Sequence, residues 1–246
     1  MHKNIVCTYK GTYGAYKSYW DNQDIEFDYL TDVTKMDLPV GVQYTEQDIR
    51  NSFNFTDIVS PKHYYNSHGN RNVIWFYAHF RMLYYYLQNK GYDYYWFFDD
   101  DVTVADWDLF YKSFENNTSD FISLYCFKNN QVNTQPLIPK MNENSYSGNQ
   151  WFMRFPGYND RLPRECTDLF GSFFPIVRLS KRSLTLLIRL LKDKIYGYSE
   201  GFVPTVLNHH GYTLDTIFDE NSNAKYFDDT KVDVLHKHTK IKWSWI

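Results

Sequence analysis

Three consecutive carboxylates, Asp99-Asp100-Asp101, close the run Tyr94-Tyr95-Trp96-Phe97-Phe98. The run has the length and residue types of a buried strand, so the acids fall at a strand end. Adjacent negative charges repel one another, and leaving them beside a core is unfavourable. A divalent cation relieves both problems, and hard oxygen ligands suit Mg2+ or Mn2+. The chemistry expected is a metal held by carboxylates, and phosphates held by the metal.

The surrounding pattern shows what delivers these acids. Asn4 to Tyr9 reads as a first strand, Lys10 to Gly14 as a glycine-containing loop and Ala15 to Trp20 as a short helix. Ile25 to Leu30 alternates with period two, as a second strand would. Residues 36–69 are polar and carry no clear pattern beyond a short strand near Asp57-Ile58-Val59. Val73, Phe76, Tyr77, Phe80, Leu83, Tyr84 and Leu87 recur at helical spacing within Arg71 to Lys90, and Gly91 supplies a stop. The acidic strand follows at once, which is α/β wiring. Phe121 to Cys126 is a further strand, and Lys128 to Cys166 is loop-like. Helices are expected over Ser180 to Lys194 and Phe202 to His210, before a basic, aromatic tail from Lys231. No repeat or composition break divides the 246 residues, enough for one α/β domain with a substantial core.

Composition narrows the function classes. A net charge of -3 argues against a broad basic face for nucleic acid, and fits an enzyme that recruits a cation for an anionic substrate. Aromatic residues make up 20% of the chain. Codon usage in an AT-rich genome would produce that surplus, and so would rings that stack on sugars or a base. Cys7, Cys126 and Cys166 are widely spaced and suggest neither disulfides nor a zinc site. With no leader sequence or membrane-length apolar run, a bacterial cytoplasmic location is expected.

Asp99, Asp101 and Thr103 also satisfy Asp-x-Asp-x-Thr, the haloacid dehalogenase pattern, in which the first Asp attacks phosphate. That motif belongs on the first core strand. Here about a hundred residues of strand, loop and helix precede it, and the downstream Asp228-Asp229 follows no good strand. The mid-chain position suits the DxD motif of nucleotide-sugar enzymes. Together with the Asn4 to Tyr9 opening, the Arg71 to Lys90 helix, Gly171-Ser172-Phe173-Phe174-Pro175, Ser199 to Thr205 and a late histidine, it makes the chain resemble a GT-A fold glycosyltransferase of bacterial polysaccharide assembly. The resemblance implies a Rossmann-like α/β domain with a mixed, mostly parallel sheet flanked by helices. It implies a nucleotide-sugar-binding half over 1–105, an acceptor half over 106–230, and a tail over 231–246 that closes on the metal. The implied donor is a nucleotide diphosphate sugar, usually a UDP-sugar, used with Mn2+ or Mg2+. The implied acceptor is a glycan or glycolipid hydroxyl.

Carried onto this sequence, the resemblance makes Asp101 the first metal ligand and Asp99 a second ligand or ribose contact. Asp100 serves either role, and His236 completes the metal shell with His238 as fallback. The tail lacks the HxxGxxKPW pattern of one retaining family, so inversion is expected. Glu200 would then take the acceptor proton, with Asp168 as second choice for the base or as a hydroxyl contact. Glu200 would equally serve as a helix cap. Thr8, Tyr9 and Asp32 end the first two strands, where open α/β sheets collect ligands, and are assigned to the nucleotide. Arg71 is placed for the diphosphate, whereas Arg81 reads as a solvated helix position. Trp151, Phe152 and Tyr158 would form an acceptor platform or pack their loop onto the body. The Lys240 to Ile246 end would touch the inner membrane face or fold over the site. A non-catalytic sugar- or nucleotide-binding protein is the remaining alternative.

Overall fold

The computed structural model describes residues 1–8, 13–33, 41–54, 77–100, 102–104, 106–128 and 165–217. Among them, seven strands form one sheet: β1 (His2–Thr8), β2 (Asp28–Asp32), β3 (Val42–Tyr44), β4 (Tyr94–Asp99), β5 (Phe121–Lys128), β6 (Phe170–Ser180) and β7 (Leu214–Thr216). Their order across the sheet is β3-β2-β1-β4-β6-β5-β7. The pairs β1–β2, β1–β4, β2–β3 and β5–β7 are parallel, and β6 runs antiparallel to both β4 and β5. The architecture is thus α/β with a mixed, mostly parallel sheet flanked by helices.

The helices are α1 (Tyr13–Asp21), α2 (Glu46–Ser52), α3 (Ala78–Gln88), α4 (Trp107–Phe114), α5 (Lys181–Lys192) and α6 (Ser199–His209). They cover both faces. Ile5, Cys7, Tyr95 and Phe97 point to the side holding α2, α3, α5 and α6. Val6, Trp96 and Phe98 point to the side holding Trp20 of α1 and Trp107, Phe110 and Phe114 of α4. The alternation along β1 and β4 therefore feeds two cores rather than one core and solvent, as expected where crossover helices cover both faces.

Several elements differ from the sequence reading. β2 starts at Asp28 instead of Ile25. The ladder with β1 opens at Ile5↔Asp28, and just upstream the Asn4 side chain, rather than the main chain, bonds the Glu26 carbonyl (3.4 Å). β3 and α2 lie in the stretch read as patternless. Thr45 caps α2 reciprocally with Asp48: each side chain accepts from the other residue's backbone N–H, at 3.1 and 2.7 Å. Gly41 enters β3 with φ +66, and a Cβ there would stand 2.3 Å from the Tyr29 carbonyl oxygen, so no other residue fits. α3 stops at Gln88, before Gly91, and Ser180 caps α5 by accepting from the Ser183 N–H (3.1 Å). The short strand near Asp57 lies outside the described residues.

The largest difference is β6, an eleven-residue strand in the middle of the sheet. Pro175 is unusual in a central strand, because proline cannot donate to a ladder. Its missing donor is accommodated on both sides. The last β4 pair is Phe98↔Ile176, and against β5 the register shifts so that Phe174, Pro175 and Ile176 face Leu124 alone. Pro204 inside α6 is handled similarly: it leaves the Glu200 carbonyl without its helical donor, and the Ser172 hydroxyl donates to that oxygen instead (2.8 Å).

Candidate active site at the carboxyl ends of the strands

From β1 the chain builds outward to β2 and β3, then returns to place β4 on the other side of β1. The strand order reverses between β1 and β4, and a crevice outside the carboxyl ends of strands at such a point is where open α/β sheets bind ligands. Cys7 pairs with Asp99, so Thr8 at the end of β1 lies beside the start of the acidic run. The Asp100 N–H donates to the Cys7 carbonyl (3.1 Å), and the Asp100 carbonyl accepts from Trp20 Nε1 of α1 (2.9 Å). The Val102 N–H returns to the Asp99 carbonyl (3.0 Å), so the chain turns directly after the strand. Aromatic packing beneath and backbone bonds on both sides thus fix where Asp99 and Asp100 stand.

The described candidates all lie at this end. Thr8 donates its hydroxyl to Thr31 Oγ1 of β2 (2.8 Å), and Asp32 follows, buried. Because β6 is antiparallel, its beginning is at the carboxyl end of β4. The Phe98↔Ile176 register carries Phe174 two residues beyond, level with Asp100. The Phe174 N–H donates to Glu200 Oε1 (3.1 Å), and the Tyr198 hydroxyl donates to Glu200 Oε2 (2.6 Å). Glu200 is in the first turn of α6, so one buried carboxylate both favours the helix end and ties it to β6. Asp168, just before β6, forms a half-exposed ion pair with Lys128 at the end of β5 (2.7 Å).

Arg81 is where the sequence reading is corrected. It is not on a solvated helix face: it is 2% exposed, and its Nη2 donates to Asp99 Oδ1 at 2.9 Å. Part of the acidic charge is therefore answered by a guanidinium from α3. The sign was in the sequence. Between Tyr77 and Leu87 only His79 and Arg81 break an apolar and aromatic run, and a helix apolar nearly all round is buried. Tyr44 of β3 is held near Arg81 and Asp32, and burial, countered by Arg81, pushes its phenol well above the usual range.

A second buried contact escaped the sequence reading. His79, at the start of α3, meets Ser199, at the start of α6: Nδ1 and Oγ are 2.8 Å apart, and the same Oγ accepts the His79 backbone N–H (3.2 Å). Held in the interior, the ring is neutral. Burial lowers the imidazole pKa to about 3. The ring stacks on Phe202 at 5.6 Å. This contact joins the helix that carries Arg81 to the helix that carries Glu200.

No family model matches this chain, and no curated protein matches it closely enough to count as a relative. The local geometry therefore stands alone. Asp99 and Asp100 offer the hard oxygen donors that Mg2+ or Mn2+ requires, although Asp99 shares one oxygen with Arg81. Among the described residues no group of three or more His, Cys, Asp or Glu side chains could hold a metal. Asp101 and His236, the ligands expected to complete such a set, lie outside the described residues, as do Tyr9, Arg71, His238, Trp151, Phe152, Tyr158 and the tail. Asp106, the first acid of Asp106-Trp107-Asp108, caps α4 by accepting from the Leu109 N–H (2.9 Å), which is structural. No helix among the described residues is long and apolar enough to cross a membrane.

Proposed function

We propose that the chain is a metal-dependent glycosyltransferase that moves a sugar from a nucleotide diphosphate, UDP for preference, to a hydroxyl of a glycan or glycolipid. The observation that carries this reading is the placement of Asp99 and Asp100 at the strand-order reversal between β1 and β4, beside Thr8. A neutral sugar bond to a diphosphate breaks with charge developing on the leaving group. Bound Mg2+ or Mn2+, held by Asp101 with Asp99 and His236, would supply stabilisation of that charge. Thr8 and Asp32, on the β1–β2 side, bind the nucleoside.

Glu200 is the base for the acceptor hydroxyl. Its carboxylate is one strand over from the acids, and the bonds from Phe174 and Tyr198 hold it in one orientation. Asp168, exposed and paired with Lys128, orients the acceptor. The inverting course follows from a base on the far side of the sugar from the diphosphate. The Arg81–Asp99 pair counts against the phosphohydrolase alternative, because a nucleophilic Asp99 would have to be freed from a buried guanidinium.

Thermal unfolding with a panel of nucleotide sugars, with and without Mn2+, tests the reading. A metal-dependent rise in Tm with one donor, growing with its concentration, is expected. Asp101→Ala should remove it. A panel without any shift, or phosphate release from simple phosphoesters that Asp99→Asn abolishes, would overturn it.

A further inference from the structure

A cleft of about 820 Å³ opens at the other end of the sheet, where β4 begins and β6 ends. The exposed face of α5 brings Lys181, Arg182 and Arg189 to the cleft's lining, which also includes Asp93, Asp120 and Tyr212. This volume is within the range of small-molecule sites, and it is separate from the carboxylate end.

Charge accounting shows what the cleft would accept. Asp120 is buried and committed: Arg182 grips both its oxygens, and it also accepts from the Ser180 hydroxyl (2.9 Å) and from the Thr213 N–H and hydroxyl (both 3.0 Å). Burial would push this carboxyl up, but Arg182, Thr213 and Ser180 hold it down to about 2. Asp93 is committed to the Met1 amino group (2.7 Å). Lys181 and Arg189 form no salt bridge among the described residues, and the residues that line the cleft carry three cations, Lys181, Arg182 and Arg189, against two carboxylates, Asp93 and Asp120.

The aromatic rings limit the alternatives. Tyr94 stacks with His2 at 5.1 Å and carries the Arg178 guanidinium 4.5 Å from its centroid. The Arg182 guanidinium lies 4.7 Å from the Tyr212 centroid. Cations and a histidine already occupy these rings, so the cleft is poorly equipped to stack a neutral sugar. It is equipped for anions. Lys181 and Arg189 are eight residues apart, about 12 Å along the helix axis, so two anionic groups on one ligand can each take one cation.

We propose that this cleft binds a ligand bearing two or more phosphate groups, with Lys181 and Arg189 as its anchoring cations. Phosphates carry up to two charges each at pH 7, and arginine's planar fork matches their oxygens. Arg182 stays on Asp120 and shapes the wall. The phosphates can belong to a soluble compound or to lipid headgroups. The proposal is independent of the glycosyltransferase reading.

The test uses the full chain in EDTA, so that metal cannot recruit phosphate to the acidic end. Tripolyphosphate titrated by calorimetry is the soluble probe. Sedimentation with phosphatidylcholine vesicles, with and without phosphatidic acid, is the lipid probe. Binding to at least one is expected, with the arm that binds identifying the source. The double variant K181Q/R189Q should weaken it at least tenfold with Tm unchanged. Absence of binding in both arms overturns the proposal. So does binding that K181Q/R189Q leaves unchanged.

Discussion

The two ends of the sheet both concentrate charge, and they hold it in different proportions. At the carboxyl ends, Asp32, Arg81, Asp99, Asp100 and Glu200 are all buried. At the other end Asp120 and Arg178 are buried, whereas Arg182 is largely exposed over Asp120 and Lys181 and Arg189 face water. Burying a charge is unfavourable unless it is paired, so the first end depends on its partners, such as Arg81 for Asp99 and the Phe174 and Tyr198 donors for Glu200. Exposed cations involve little such cost. The contrast teaches that the first end should respond to pH and to single deletions, and the second to salt and ligand.

Arg81→Met should give the largest effect. It leaves Asp99 buried without its guanidinium and should destabilise by about 3–5 kcal/mol in urea unfolding. The double variant R81M/D99N should recover more than half of that. A neutral Arg81→Met would break the contrast outright. Glu200→Gln keeps an oxygen for the Phe174 N–H and should cost about 1 kcal/mol of stability. Transfer from the donor that raises Tm should fall about 100-fold or more if Glu200 is the proposed base. Equal losses in stability and rate would instead make Glu200 a helix-end residue.

The pH response sharpens the comparison further. His79 has a folded pKa of about 3, below the 6.5 of an unfolded histidine. Its unfolded form alone takes a proton between these values, so the stability it contributes is present above pH 6.5 and lost as pH falls toward 3. The slope from this group approaches about 1.4 kcal/mol per pH unit. In His79→Phe that share of the acid sensitivity should disappear, read as a flatter Tm-against-pH curve. The smallest effect belongs to the other end: Lys181→Gln and Arg189→Gln should each change stability by less than about 0.5 kcal/mol.

How far the sequence announced this site can be judged residue by residue. Asp99 and Asp100 were legible because a five-residue aromatic and apolar run fixes a buried strand, and its end follows from its length. The stripe of α5, Leu184, Leu187, Ile188 and Leu191, was nearly as plain: the three leucines are buried and Ile188 is half-buried. Arg81 was misread because helical periodicity assigns a face, whereas this helix is covered on nearly every side. β6 was missed because a proline in a central strand is tolerable only if both neighbours' ladders skip it, and register is a property of three strands together. α2 was overlooked although Thr45 and Asp48 spell its cap. The His79–Ser199 contact joins residues 120 positions apart, and no local pattern carries it.

The position of β6 also has a consequence for synthesis. β4 is the strand that delivers the acids, and one of its edges is covered only by β6, which begins at Phe170. Seventy residues, 100–169, separate the end of β4 from the start of its partner. At about 5–20 residues per second, a growing chain would hold the Tyr94–Asp99 edge open for several seconds or longer. That edge is aromatic, apolar and unpaired, the kind that invites pairing with a neighbouring chain. The nascent protein thus passes through an aggregation-prone window, and chains truncated before residue 170 should be retained by chaperones or collect in inclusion bodies.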